Sequence, residues 1–466
     1  MTGGHSLSWW KTGMTLIAMM FDPGIMGISA LAFVWGFYVI QWNAVNVWIT
    51  AWFAGMFIIG IYWRSKIVTT PEYLEKRFNA MAGIFSVIMS AMLVSLLHMQ
   101  YTWAVILLNQ FLGWNIWLNI MLLIGIAGFY VIFGGLKTML FMDIFQGILL
   151  IITLIVMGIM GFVLLDGFEG IKALELTGKA GTPLNSLIPP LDFSLTSQTY
   201  YPLPAVITFA IIAGLSWIIC NFSMAQRLLA AKNEMHAQKA LVMAGVFNVF
   251  IMFLAYSAGI AVRKLIAQGV LPDVAPDKAF ITLLLNYFPT GIKGFLIVGL
   301  LAALLSTIDG LIASTGSLLT QDIYKRFVNK SATDKKLKRV TILFEVFVIG
   351  IVFLIIPAFL TNGNEAGSTP AYEIIQTFLG DIFGVLIAIF ILGIFFKRTT
   401  ANASFIAMII GVALGFGIHL TTNINFAYIG TFQFVVVIVL ALVLSRFEKP
   451  KTDKELENLT IGPARC

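Results

Sequence analysis

Four carboxylates stand inside long apolar runs, where an unpaired charge is costly. Asp22 lies in MMFDPGIMG, Asp143 in LFMDIFQG, Asp309 in LLSTIDGLIASTG and Asp381 in FLGDIFGV. An ionisable group within a membrane span costs several kcal/mol unless it is paired, hydrated or ligated, so each of these acids marks a site where something happens. Beside Asp309, Ala303, Ser306, Thr307 and Gly310 recur at spacings of three and four, which puts them on one helical face. Such a stripe supports close helix packing. It equally supplies hard oxygen donors to a small cation such as sodium, which needs no Cys or His ligand. Asp22 is followed by Pro23 and Gly24. Proline removes a backbone donor and clashes with the preceding turn, and glycine relaxes the chain further. The triplet is either a kink or helix end, or a helix break that frees the carbonyls of residues 18–21 for ion or solute contact. Asp143 follows GGLK by one to two turns and reads either as an interfacial acid near Lys137 or as part of an ion site.

Uncharged polar residues extend the pattern. Gln41, Asn43 and Asn46 fall in the second apolar run, Asn221 in the sixth and Asn248 in the seventh. Each asparagine serves interhelical hydrogen bonding, or together they line a cavity for an uncharged solute. His98 and His419 read as structural or interfacial groups. No nucleophile–base pair or metal constellation stands out, which argues against an enzyme. The two cysteines, Cys220 and Cys466, suggest no disulfide framework.

The elements that must position these residues are membrane helices. Of the 466 residues 59% are hydrophobic and 11% charged, with a mean hydropathy of +0.94. Soluble domains carry about 25% charged residues, so much of this apolar surface must face lipid. The runs predict an all-α polytopic membrane protein with twelve spans at 9–35, 40–63, 79–109, 115–134, 139–165, 203–222, 240–262, 293–324, 340–360, 374–396, 401–420 and 426–445. A short external helix is expected within 275–290. The loop 166–202 is the longest connection, and the tail after residue 446 is charged and expected to be disordered.

Alternating the segments between two sides puts 23 of the 29 Lys and Arg residues on the side of the N-terminus and 6 on the other. By the positive-inside rule both termini are cytoplasmic, in a bacterial inner or other plasma membrane. The basic runs then serve orientation and imply no nucleic-acid partner.

The chain resembles the sodium/solute symporter family, on the side of its sugar cotransporters. The resemblance rests on GGHSLSWW before the first span, VTTPEYLEKRFN after the second and FGGLKTMLFMDIFQG into the fifth. It continues through AQRLLAAKNEMHAQKAL after the sixth, PTGIKGFLIVGLLAALLSTIDG with LTQDIY in the eighth and FILGIFFKRTTANAS after the tenth. It implies a core of two five-helix inverted repeats, at about 8–165 and 203–396, with broken first and sixth core helices. Accessory helices at about 401–445 and a cytoplasmic tail at 447–466 follow. It also implies a sodium site made by the Ala303 carbonyl and the Ser306 and Thr307 hydroxyls, with first-helix carbonyls near Ala18 and Phe21. Asp143 matches the acid of a second sodium site in some members, and Asp309 stands where they have a serine. Asn221 matches a sugar-contacting asparagine. Family members carry a further helix before GGHSLSWW, so the resemblance places the start of this chain at the first core helix, through either a later Met or a short gene.

These readings converge on a sodium-coupled symporter importing a small polar organic solute, a sugar or polyol, by alternating access. Asp22, Asn43, Asn46, Asn221 and Asn248 are its candidate solute residues. The alternatives are a proton-coupled carrier, a sugar acid, carboxylate or amino acid as solute, and a transporter-derived sensor. The partners are the solute and the bilayer, and the chain is read as a monomer or an oligomer of unspecified size.

Overall fold

The computed structural model describes residues 5–20, 24–78, 105, 107–109, 111–197, 199–362 and 371–461. Phe21, Asp22, Pro23, His98 and most of the third expected span lie outside the described residues, as do the side chains of Asn43 and Asp381.

The first span is two helices. α1 (Trp9–Met20) and α2 (Gly24–Trp35) are bent by 53° about the DPG segment. The second span, expected as one helix, is a chain of pieces: α3 (Ile40–Asn43), a π-helical turn at Ala44–Ile49, α4 (Thr50–Phe57) and α5 (Ile59–Arg64). The cause of the bulge is a close crossing. A Cβ on Gly214 would come within 1.8 Å of the Asn46 carbonyl, and the Thr50 hydroxyl donates to that same carbonyl. A π-turn widens the helix where a neighbour and a side chain compete for its backbone.

α6 (Thr70–Phe78) precedes α7 (Ile116–Leu164), 49 residues in two helical halves. A straight helix of that length would be about 70 Å long, more than twice a bilayer core. Gly135, at φ 63°, breaks it into the expected fourth and fifth spans, a conformation glycine adopts without the Cβ penalty. α8 (Leu203–Leu215) runs into a π-turn at Ser216–Cys220, and the chain then breaks at Asn221 before α9 (Phe222–Leu229). The first and sixth spans are therefore both interrupted.

The later helices, beside the short Gly167–Lys172 and a few 3-10 turns, are α10 (Glu234–Ala267), α11 (Ala279–Tyr287), α12 (Thr290–Leu318) continued by a π-turn to Val328, α13 (Asp334–Asn362), α14 (Ala371–Phe395), α15 (Ala401–Thr421) and α16 (Phe426–Leu444). Six described helices are long and apolar enough to cross a membrane, or seven if α1 and α2 count as one span. α11 is the short helix expected within 275–290.

The loops sort to two ends. At one end Arg326 pairs with Glu75, Lys397 with Asp453 at 2.8 Å, and the Leu7 amide donates to the Ala230 carbonyl at 3.1 Å. At the other, Lys264 pairs with Asp166, Gln41 Nε2 donates to the Leu187 carbonyl at 3.0 Å, and Trp35 Nε1 donates to Glu373 at 3.0 Å. These are the two sets of segments that the charge pattern assigned to opposite sides. Aromatic rings cluster at the second end: Trp42 lies on Tyr201 with centroids 4.0 Å apart, and Phe426 meets both Tyr201 and Phe209.

Two expectations are corrected. The tail does not hang free as far as it is described. Leu456 and Leu459 are buried, the Tyr73 hydroxyl donates to the Leu459 carbonyl at 2.8 Å, and the Ile461 amide donates to the Ile394 carbonyl. Two apolar side chains give this charged segment enough surface to bury. The basic residues also do more than orient the chain. Arg77 is buried and donates to the carbonyls of Gly393, Phe396, Lys397 and Thr399. It thereby satisfies orphan carbonyls at the end of α14. Arg227, counted by sequence among the loop cations, lies in the interior of the protein.

Candidate functional site

The small-residue face of α12 meets the end of α1. Ser306 Oγ donates to the Ala18 carbonyl at 3.0 Å and to the Ala303 carbonyl at 3.1 Å. A serine has one hydroxyl proton, so it serves these acceptors in turn. The Ala18 carbonyl belongs to the last turn of α1, where helix carbonyls run out of amide donors within the helix. Thr307, next on the same helix, is buried, and its Oγ1 has no hydrogen-bond partner among the described residues. Hard cations take oxygen ligands at about 2.3–2.6 Å, so neighbouring ligands around one ion lie roughly 3 Å or slightly more apart. The spacing of Ser306 Oγ from both carbonyls matches that requirement.

A guanidinium stands behind this cluster. Arg227 Nη2 donates to the Ser306 carbonyl at 3.2 Å. The same group pairs with Asp143 Oδ2 at 2.9 Å through Nη2 and 3.1 Å through Nε, and its Nη1 reaches the Ser223 hydroxyl at 2.8 Å and carbonyl at 3.1 Å. Both charged side chains are fully buried. Local sequence explains the placement. Asn221 caps α9 by accepting from the Ser223 amide at 3.0 Å, and Arg227 follows Ser223 by one turn on the same face. Gly310 leaves the necessary room, since a Cβ there would come within 2.6 and 2.8 Å of the two terminal guanidinium nitrogens. The Ser223 hydroxyl also donates to Met19 Sδ at 3.2 Å. The ends of both broken spans are thus linked to α7 and α12.

The arrangement revises the reading of Asp143. Its neighbour is Arg227 and not Lys137. Its Oδ2 is engaged, while Oδ1 has no hydrogen-bond partner among the described residues. Asp309 is fully buried on α12. Of the candidate solute residues, Asn221 sits at the sixth-span break with Nδ2 unpartnered, and Asn248 is buried in α10 with Oδ1 unpartnered, both among the described residues. Asn46 is buried in the second-span bulge, which packs on α8 and α10. Asp22 and Phe21 fall outside the described residues, and of Asn43 only the backbone is described.

Sequence reasoning missed Arg227, although it stands in the AQR stretch after the sixth span. It also passed over Gln226, whose Oε1 accepts from the Ser314 hydroxyl at 3.2 Å, and Glu345, an acid within the ninth span.

Comparison with known proteins follows the same lines. Residues 1–411 match the family model described as the sodium:solute symporter family. The sodium/glucose cotransporter 1 of Sus scrofa is 26% identical, the match covering 98% of this chain and 75% of that one. The sodium/myo-inositol cotransporter of Homo sapiens is 24% identical over 98% of this chain and 70% of its own length. Among solved structures, a substrate-bound, outward-open Na+-coupled sialic acid symporter superposes with a TM-score of 0.83 at 20% identity, covering 97% of this chain and 92% of the other. A nucleobase-cation-symport-1 family transporter in a closed conformation gives 0.64 at 12% identity, covering 98% and 96%. The structural likenesses show a shared fold.

Proposed function

The chain belongs to the sodium:solute symporter family, and on that premise we propose that it imports a small polar organic solute, a sugar or polyol, by alternating access driven by sodium. Sodium is the coupling ion of the family, and a small solute and a membrane are its partners. The observation that carries the site assignment is the contact of Ser306 Oγ with the Ala18 carbonyl, beside the unpartnered Thr307 hydroxyl. The sodium ion is held by the Ala18 and Ala303 carbonyls and the Ser306 and Thr307 hydroxyls, with Phe21 as a further carbonyl donor. Because these groups come from α1 and α12, an ion between them draws the first-span break against α12. Exchange of hydroxyl–carbonyl hydrogen bonds for ion–oxygen contacts favours one packing of the two helices over the other.

The solute binds beside the two breaks, where the Asn221 amide has no partner among the described residues and Asn46 and Asn248 lie on adjacent elements. Asp22 and Asn43 complete this set. Buried amides without partners are paid for by a hydroxyl-rich ligand. The arginine–aspartate pair holds α7, α9 and α12 as one unit against which α1 moves. The aromatic cluster at one end, and an open cavity of about 620 Å³ at the other, correspond to a state that faces the basic loops. With those loops cytoplasmic, both termini are inside and this is the releasing state.

Uptake into proteoliposomes under an imposed sodium gradient tests the reading. Accumulation of a sugar or polyol with sodium outside, and none with choline, is expected. Equal uptake in the two salts would refute sodium coupling.

A further inference from the structure

Glu345 is an acid that the site just described does not use. It lies on α13 within the membrane region and is 6% exposed. Gly316 of α12 admits it, because a Cβ at that glycine would come within 2.6 Å of Glu345 Cγ and 3.3 Å of the Thr341 carbonyl. Among the described residues, no hydrogen bond or ion pair reaches its carboxylate. A carboxyl group so placed is stable only when protonated or when a ligand meets its charge.

Its surroundings indicate which. Glu345 lines the cavity of about 620 Å³ between α7, α12 and α13. Gln226, Ser317 and Thr341 share the wall, and Lys325 of the π-turn with Asp334 and Lys338 of the first turns of α13 also line it, at the basic end. Gln226 is the chain neighbour of Arg227, whose guanidinium contacts the Ser306 carbonyl. Gln226 also accepts from the Ser314 hydroxyl, about two turns beyond Ser306 on α12, so the cavity lies along α12 between the Ser306 cluster and the basic end, and its wall carries one buried carboxylate and the oxygens of two hydroxyl residues. These are the donors a small hard cation selects.

We propose that Glu345 forms a second cation-binding position, a transit site that takes the sodium ion released from Ser306 and Thr307 on its way out of the protein. This rests on the sodium reading above. The carboxylate supplies the charge, and the Ser317 and Thr341 hydroxyls with water supply the remaining oxygens.

Carbodiimide labelling tests this without relying on transport. The wild-type protein in nanodiscs is treated with dicyclohexylcarbodiimide in sodium chloride or in choline chloride of equal strength, and adducts are located by peptide mass spectrometry. Glu345 is expected to label in choline and to be protected by sodium. Equal labelling in both salts, or no labelling in either, overturns the proposal. The Ser306→Ala/Thr307→Ala protein is expected to keep protection at Glu345. If uptake proves independent of sodium while protection persists, the symport reading fails and the cation position stands. In uptake assays Glu345→Gln is expected to weaken inhibition by sodium on the releasing side about tenfold, whereas Glu345→Asp retains it. Unchanged inhibition in Glu345→Gln counts against the site.

Discussion

The Ser306 hydroxyl donates to the Ala18 carbonyl at 3.0 Å, joining helices whose residues lie 288 positions apart in the chain. Thr307 beside it presents a hydroxyl with no protein partner among the described residues. The two hydroxyls therefore predict different phenotypes. On the proposed reading Thr307→Ala removes an ion ligand and no hydrogen bond to the described residues. It is expected to raise the half-saturating sodium concentration about tenfold while leaving the melting temperature in sodium-free buffer unchanged. Ser306→Ala raises the sodium requirement too and also loses the link to α1, at a cost of about 1 kcal/mol in stability. Uptake against sodium concentration and thermal melting read the two effects, and an unchanged sodium requirement in both variants counts against the site.

The buried Asp143–Arg227 pair predicts strong coupling. Removing one partner of such a pair leaves an uncompensated charge and costs about 3–5 kcal/mol. Asp143→Leu and Arg227→Met are each expected to destabilise severely, and the double variant to be milder than either. A double variant as damaged as the sum of the singles would show that the pair does not couple.

With Asp143 Oδ2 engaged by Arg227, the proposed mechanism uses a single sodium site at Ser306 and Thr307. The sodium dependence of uptake is expected to be hyperbolic. A sigmoidal curve would show that a second ion takes part.

Gly310 is the space the guanidinium occupies. Gly310→Ala places a methyl 2.6 Å from an Arg227 nitrogen and is expected to cost about 1–3 kcal/mol along with transport. Gly294→Ala, on the same helix with nothing within 4 Å of the added Cβ, is expected to be neutral or slightly stabilising. Chemical denaturation of the two proteins side by side distinguishes a local clash from a general intolerance of α12 to alanine.

The stack of Trp42 on Tyr201 predicts a gate. Trp42→Ala is expected to open this end and expose Cys220, which is buried just before the sixth-span break, to an impermeant maleimide added outside. Labelling no faster than in the wild type would mean that the stack does not hold that end shut.

Sidedness has its own test. A cysteine at Lys179 is expected to label from outside and one at Lys335 from inside. The reverse pattern would invert the topology while leaving the fold unchanged.

Membrane helices and their order were legible because each span must satisfy its own backbone in lipid, and so must announce itself as a local apolar run. The pairing of broken first and sixth spans was legible for the same reason, through DPG at one break and the family resemblance at the other. The hydroxyl stripe of Ser306 and Thr307 follows from helical spacing alone. The single helix read over 40–63 failed because its bulge is caused by Gly214, a residue remote in sequence.

Arg227 and Arg77 read as loop cations because they follow apolar runs, and hydropathy cannot tell a solvated arginine from one turned inward. Which carboxylate an arginine meets is decided by the crossing of helices 84 positions apart for Asp143. Glu345 looked like one polar residue in an apolar span until α13 settled against Gly316 and placed it in a cavity. The amino-acid sequence by itself determined the all-helical membrane class, the uneven distribution of charge between the segments and the residue types able to hold a cation. Tertiary structure alone decided which of those groups meet and which stay unpaired, because contact between helices depends on packing that no local period encodes.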